Sequence, residues 1–119
     1  MGLDDLIRVP EPKAIARPGE ITTAVTYVDS FGNLRLAGGR DELVAAFGDP
    51  ADGLPFEVAF EDPAVRERTR YAATFGSVGI GESLLYIDSL GNLAMADNQG
   101  NLAARLGLGH ERAVRIYRP

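Results

Sequence analysis

The sequence predicts a mainly β protein. The expected architecture is a closed or nearly closed, mostly antiparallel β-barrel with two short helices and an internal pseudo-repeat. Three observations lead there. Apolar and β-branched residues alternate with period two over several short runs. Turn-forming residues punctuate those runs. And one stretch is written twice: YVDSFGNLRL at residues 27–36 returns as YIDSLGNLAM at residues 86–95.

The duplication extends past those ten letters. Residues 27–48 align without a gap on residues 86–107, and 10 of the 22 positions are identical. Average residue usage gives about one or two by chance. The repeated unit reads as strand, turn, strand and short helix. Two copies are too few for a solenoid. Two hairpin units with strands between them suit a barrel, whose closure also removes exposed strand edges.

The elements follow in order. Residues 1–19 carry Pro10, Pro12 and Pro18 without periodicity and read as an extended arm, leaving 20–119 as the barrel domain. In EITTAVTYVD, Ile21, Thr23, Val25 and Tyr27 share one face, as a strand requires. Asp29 to Asn33 is a turn: Asp and Asn bond their own backbone, and Gly32 supplies positive φ. Leu34 and Leu36 continue as the second strand of a hairpin. Asp41 and Glu42 suit a helix start, Leu43, Ala46 and Phe47 give it an apolar face, and Gly48 and Pro50 end it. PFEVAF points Phe56, Val58 and Phe60 inward. RTRYAATF, residues 68–75, predicts a further strand, and GSVGIGE a loop. SLLYIDSLGNLAMAD is the second hairpin. NQGNLAARLG gives a short helix through Leu102 and Leu106, ended by Gly107, and ERAVRIYRP a last strand.

Composition excludes several functions. The net charge is −5, which disfavours nucleic acid and anionic membrane as partners. Arg66, Arg68 and Arg70, on alternate positions, read as a solvated face. There is no cysteine, so disulfides, thiol nucleophiles and cysteine metal sites are out, and a reducing, cytoplasmic setting is expected. No apolar run approaches the length of a membrane span. The start, MGLDDLIRVP, is no signal peptide. Catalytic motifs are missing too. GIGE lacks a P-loop lysine, no cluster has metal-ligand spacing, and His110 is the single candidate imidazole base. The residues alone describe an acidic barrel with two polar DSxGN turns. Such turns serve either geometry or a ligand.

Larger segments are more specific. VTYVDSFGN, TFGSVGIGESLLYIDSLGNL and ADNQGNLAARLGL, in that order, resemble the C-terminal domain of the S-adenosylmethionine hydrolases. These are the S-adenosylmethionine hydroxide adenosyltransferases, relatives of the fluorinating and chlorinating enzymes. The resemblance covers nearly the whole chain, and GLDDLIRVPEP is similar to that family's interdomain linker. It implies a closed, mostly antiparallel barrel. It also implies partners: an N-terminal α/β domain, a neighbouring subunit of a homotrimer, and S-adenosylmethionine or adenosine between them. No cofactor is expected; S-adenosylmethionine is substrate.

Carried over residue by residue, the resemblance implies that Asp29 meets the ammonium of the methionine moiety and Asn33 the adenine edge. Ser89 donates to the methionine carboxylate, and Phe75 packs near the nucleoside. Asn101 and the backbone of Leu102 approach adenine at a helix start. Asp88 and Asn92 are left as turn formers. Two departures stand out. Leu102 replaces a small alanine, so its side chain either crowds the adenine or points into the core. Asp97 adds negative charge nearby. The hydroxide-activating groups belong to the family's N-terminal domain, so no catalytic residue is expected here. The alternatives are a non-catalytic trimer-assembly module and a barrel for an unrelated small ligand.

Overall fold

The computed structural model describes residues 14–61, 64–73, 78–108 and 113–118. Along them run β1 (Ile15–Arg17), β2 (Glu20–Val28), β3 (Leu34–Gly39), α1 (Arg40–Phe47), β4 (Pro55–Phe60), β5 (Val65–Arg70), β6 (Ser83–Ile87), β7 (Asn92–Asp97), α2 (Leu102–Leu106) and β8 (Ala113–Tyr117). The strands form one sheet in the order β5-β4-β8-β2-β3-β7-β6, with β1 pairing on β2. All these pairs are antiparallel. The two ends of the sheet meet: a parallel bridge joins Tyr71 to Leu85, and the Ala72 amide donates to the Leu85 carbonyl at 3.0 Å. The result is the nearly closed antiparallel barrel the sequence predicts, with its two short helices.

Alternation fills the interior. Ile21 and Val25 of β2, Leu34 and Leu36 of β3, Phe56, Val58 and Phe60 of β4, and Val114 and Ile116 of β8 point inward and are buried. Leu93 and Met95 of β7 complete the lining, and Leu43 and Leu102 from the two helices join the same cluster. Phe47 of α1 meets Phe56 edge-on at 4.8 Å between ring centroids. Arg66, Arg68 and Arg70 are exposed, as their alternation implies.

Three details differ from the sequence reading. Tyr27 does not share the buried face of Ile21, Thr23 and Val25; it is 49% exposed. A bulge is the cause. Val25 pairs with Leu36 and Tyr27 with Arg35, so Thr26 is an extra residue and the alternation flips. The strand read over 68–75 lies earlier, at Val65–Arg70. Its ladder with β4, from Pro55 opposite Arg70 to Phe60 opposite Val65, sets those limits. Thr74 and Phe75 fall outside the described residues. Within the stretch read as an arm, Ile15–Arg17 pairs with β2 as β1.

The helices begin and end by side-chain chemistry. Glu42 reaches back to accept from the Gly39 amide at 2.8 Å, capping α1. Asn101 caps α2, its Oδ1 accepting from the Ala104 amide at 2.8 Å. Gly107 then turns left-handed at φ 69°. Among the described residues, no helix is long and apolar enough to cross a membrane.

A polar clasp spans the seam of the barrel. Arg105 of α2 holds the buried Asp97 of β7 through Nε–Oδ2 and Nη2–Oδ1 contacts of 2.8 Å each. Its Nη2 also donates to Glu67 Oε2 of β5 at 2.7 Å, and Ser83 Oγ of β6 donates to the same oxygen at 2.8 Å. Both carboxylates hold the guanidinium proton more tightly than usual, hydrogen bonding to Asp97 being the leading cause.

Two stability predictions follow from burial. Phe56→Ala empties a fully buried ring site and should cost about 3–5 kcal/mol in urea denaturation. Arg105→Met strands the buried Asp97 carboxylate; because Arg105 is partly solvent-screened, the expected loss is smaller, about 1–3 kcal/mol. Asp97→Asn in the Arg105→Met background should recover part of it.

Candidate functional site

Each DSxGN turn is closed by its own aspartate. Asp29 Oδ1 accepts from the Phe31 and Asn33 amides, both at 2.9 Å. Asp88 Oδ1 accepts from the Leu90 amide at 2.9 Å and the Asn92 amide at 2.8 Å. The main chain matches as well. The Asp29 amide donates to the Asn33 carbonyl and the Gly32 amide to the Asp29 carbonyl, each at 3.0 Å; Asp88, Asn92 and Gly91 repeat this at 2.9 and 3.0 Å. Gly32 and Gly91 take φ of 83° and 85°. A carboxylate one methylene from the chain reaches these amides without strain, which is why the motif is Asp-led.

The copies face one another. β3 and β7 pair antiparallel, with Arg35 opposite Ala94 and Leu34 opposite Met95. Arg35 and Ala94 are equivalent positions of the repeat. Equivalent strands pairing antiparallel at equivalent residues are related by a local two-fold axis. Both hairpins share one register beside their turns: Tyr27 and Val28 pair with Arg35 and Leu34, as Tyr86 and Ile87 pair with Ala94 and Leu93. The bulge at Thr26 has no counterpart, since Leu84 and Leu85 pair in step with Ala96 and Met95.

Each turn also touches the other copy's helix start. The Gly32 carbonyl accepts from the Ala103 amide at 3.1 Å, and a Cβ on Gly32 would run into the Asn101 side chain. Gly39, which caps α1, packs against the Gly91 carbonyl.

Two hollows result. An open groove of about 580 Å³ is lined by Phe31, Asn33, Asp97, Gln99, Gly100 and Asn101. Gln99 sits in the left-handed region at φ 58°, the single described non-glycine residue to do so. A smaller hollow of about 120 Å³ straddles the two-fold axis and includes Asp29, Arg35, Tyr86, Asp88 and Ala94. Asn33 borders both. Burial, then the negative charge of Asp29 and Asp88, pushes the Tyr86 phenol up.

The predicted site residues fall unevenly. Asn33 and Asn101 line the same groove, and Asp29 orients Asn33 by accepting from its Nδ2 at 3.0 Å. The Leu102 side chain is fully buried in the core, so the helix start presents only backbone there. Asp97 does border the groove, yet its charge is matched by Arg105. Ser89 is exposed on the second turn and lines neither hollow. Phe75, like His110, lies outside the described residues. Sequence reading missed Arg35 and Tyr86. Arg35 faces Asp88 Oδ2 at 3.6 Å and stacks over the Tyr27 ring at 5.5 Å. The signal was present: Arg35 aligns on Ala94, a non-conservative mismatch inside a matched hairpin. Among the described residues no group of acidic or histidine side chains is placed to hold a metal.

The model of the SAM hydroxide adenosyltransferase C-terminal domain matches residues 23–115. The chain belongs to this family. An (R)-S-adenosyl-L-methionine hydrolase from Salinispora tropica is 38% identical over 112 residues, covering 93% of this chain and 38% of that protein. A fluorinase from Actinopolyspora mzabensis is 29% identical over 117 residues, covering 96% and 38%. The chain thus spans under two-fifths of the length of these curated relatives. A crystal structure of an uncharacterized conserved protein from Thermotoga maritima superposes with a TM-score of 0.79 at 23% identity. The superposition covers 94% of this chain and 40% of that one, a likeness of fold.

The two turns of this adenosyltransferase domain should respond differently to the same change. Gly32→Ala places a Cβ against Asn101 at positive φ, and should cost about 2–3 kcal/mol. Gly91→Ala meets nothing within 4 Å and should cost only the backbone strain, about 1–2 kcal/mol. Denaturation of both variants checks the order. Spectroscopic titration of Tyr86 gives a second test. Its folded pKa lies above the unfolded value, so the stability it adds is present at neutral pH and is lost as pH rises through the folded pKa. Asp29→Asn and Asp88→Asn should each shift that titration downward.

Proposed function

We propose that this domain supplies the adenosine- and methionine-binding wall of an S-adenosylmethionine hydrolase-like enzyme. In the complete enzyme, water or hydroxide displaces methionine from the ribose C5′, giving adenosine and methionine. The groups that activate the nucleophile come from an N-terminal α/β domain, with S-adenosylmethionine held between that domain and this barrel in a homotrimer. The observation that carries the reading is that Asn33 and Asn101 line one groove, although 68 residues separate them.

The chemistry suits the ligand. An amide carries two N–H donors and one acceptor oxygen. The bond to Asp29 uses one N–H of Asn33 and fixes its plane. A donor and an acceptor remain, the pair that an adenine edge needs. Asp29 Oδ2 accepts one hydrogen bond and has a further lone pair for the methionine ammonium, a charge-assisted contact. Asn101 and the start of α2 close the adenine end. The roles of Ser89 toward the methionine carboxylate and of Phe75 toward the nucleoside rest on the family resemblance alone.

The second reading is an assembly module. Three exposed apolar side chains favour it: Phe31 and Ile80 at 74% and Leu90 at 73%. Phe31 and Leu90 hold equivalent places at the two turn tips. Calorimetry separates the readings. Saturable heat with S-adenosylmethionine or adenosine, weakened about tenfold or more by Asn33→Ala, supports the binding wall. No heat, together with trimers in light scattering, supports assembly alone.

Residues 1–119 by themselves should release no adenosine from S-adenosylmethionine. Release that disappears on Asp29→Ala would overturn the division of labour between the two domains.

A further inference from the structure

The local two-fold axis makes the two turns equivalent in backbone and unequal in charge. On one side, Arg35 reaches Asp88 Oδ2 at 3.6 Å while stacking on the Tyr27 ring at 5.5 Å. Guanidinium beside carboxylate over an aromatic face is a recognised cation site. Here the protein fills it with its own side chain. The axis maps Arg35 on Ala94, Asp88 on Asp29 and Tyr27 on Tyr86. The pairings confirm the mapping, because Tyr86 lies opposite Ala94 as Tyr27 lies opposite Arg35. Tyr86 and Asp29 also border the same hollow. A methyl group therefore stands on the Asp29 side where the other side has a guanidinium-bearing chain. The hollow of about 120 Å³ spans the axis, bordered by Asp29, Tyr86 and Ala94 on this side and by Tyr27, Arg35 and Asp88 on the other. Its volume is roughly that of four waters, enough for a small cationic head.

We infer that Ala94 is a specificity-determining residue: its small side chain leaves open at Asp29 a place for an alkylammonium or guanidinium cation, while Arg35 occupies the equivalent place at Asp88. This explains how a duplicated hairpin provides one ligand turn and one structural turn. Asp88 needs no external cation because Arg35 serves it. Asp29 keeps the same carboxylate geometry, and its Oδ2 accepts from the neutral Asn33 amide where Asp88 Oδ2 faces a guanidinium. The inference deepens the reading above, in which the methionine ammonium is the occupant, and names what selects the first turn over the second.

The test exchanges the two residues. Methylguanidinium is titrated into the full 119-residue chain and amide resonances are followed by NMR. In the unaltered protein, Asp29, Asn33 and Ala94 should shift saturably, with Asp88 and Asn92 shifting several-fold less. Arg35→Ala should make Asp88 and Asn92 respond as well. Ala94→Arg should abolish the response at Asp29. The double exchange Arg35→Ala with Ala94→Arg keeps the charge constant and should move the response from the first turn to the second. If Ala94→Arg alone fails to fold, Arg35→Ala and the double exchange still decide. Equal responses of both turns in the unaltered protein, no response at Asp29, or a double exchange that leaves it there would each overturn the inference. The ligand reading fails separately: a chain that takes methylguanidinium at Asp29 and gives no heat with S-adenosylmethionine retains the open place and loses the proposed substrate. Heat with S-adenosylmethionine and no response to methylguanidinium overturns the open place and leaves the substrate standing.

Discussion

The antiparallel pairing of β3 with β7, centred on Arg35 opposite Ala94, is the contact on which the rest of the molecule depends. Each hairpin alone has one apolar face and two open edges, and an isolated hairpin is marginal in water. Pairing the two copies joins four strands and brings Leu34, Leu36, Leu93 and Met95 into one lining. It also creates the local two-fold axis. Each turn is thereby set against the helix start of the opposite copy: Gly32 against Asn101, and Gly91 against Gly39. The candidate groove is a product of this exchange, since its two asparagines come from different copies.

The remaining strands close what that pairing begins. β4, β5 and β8 carry the sheet from β2 around to the far edge, where the bridge between Tyr71 and Leu85 makes only a short contact. Side chains strengthen this seam. Arg105 reaches from α2 to Asp97 and Glu67, and Ser83 joins Glu67. The clasp has no equivalent in the first copy, where Ala46 and Gly38 occupy the positions of Arg105 and Asp97. It ties the helix whose N-terminus borders the groove to the barrel wall. Seam and groove are thus mechanically linked through five residues of helix.

Departures from symmetry are where function enters. The backbone of the two turns is the same to within 0.1 Å in the hydrogen bonds that close them. What differs is the cation. Arg35 meets Asp88, while Ala94 stands beside Asp29. Thr26 adds a bulge to the first hairpin and turns Tyr27 outward. A duplicated unit supplies two equal frames, and a few substitutions assign them separate tasks.

The sequence by itself determined the barrel class, the repeat, the helix ends at Gly48 and Gly107, and the inward set of β4. These depend on local periodicity, on glycine at positive φ and on the reach of an Asp side chain, all of which are written in neighbouring residues. Family resemblance nominated Asp29, Asn33, Phe75, Ser89, Asn101 and Leu102, of which Asn33 and Asn101 line one groove. Tertiary structure decided the rest. The bulge at Thr26 and the limits of β5 follow from ladder partners distant in the chain. Leu102 points inward because α2 packs on the barrel, a choice that five residues of helix do not specify. The pairing of Arg35 with Asp88, and the open place beside Asp29, exist only because β3 lies against β7. Hydrogen-bond register between strands 59 residues apart is a property of the folded sheet, and the inequality of the two turns was decided there.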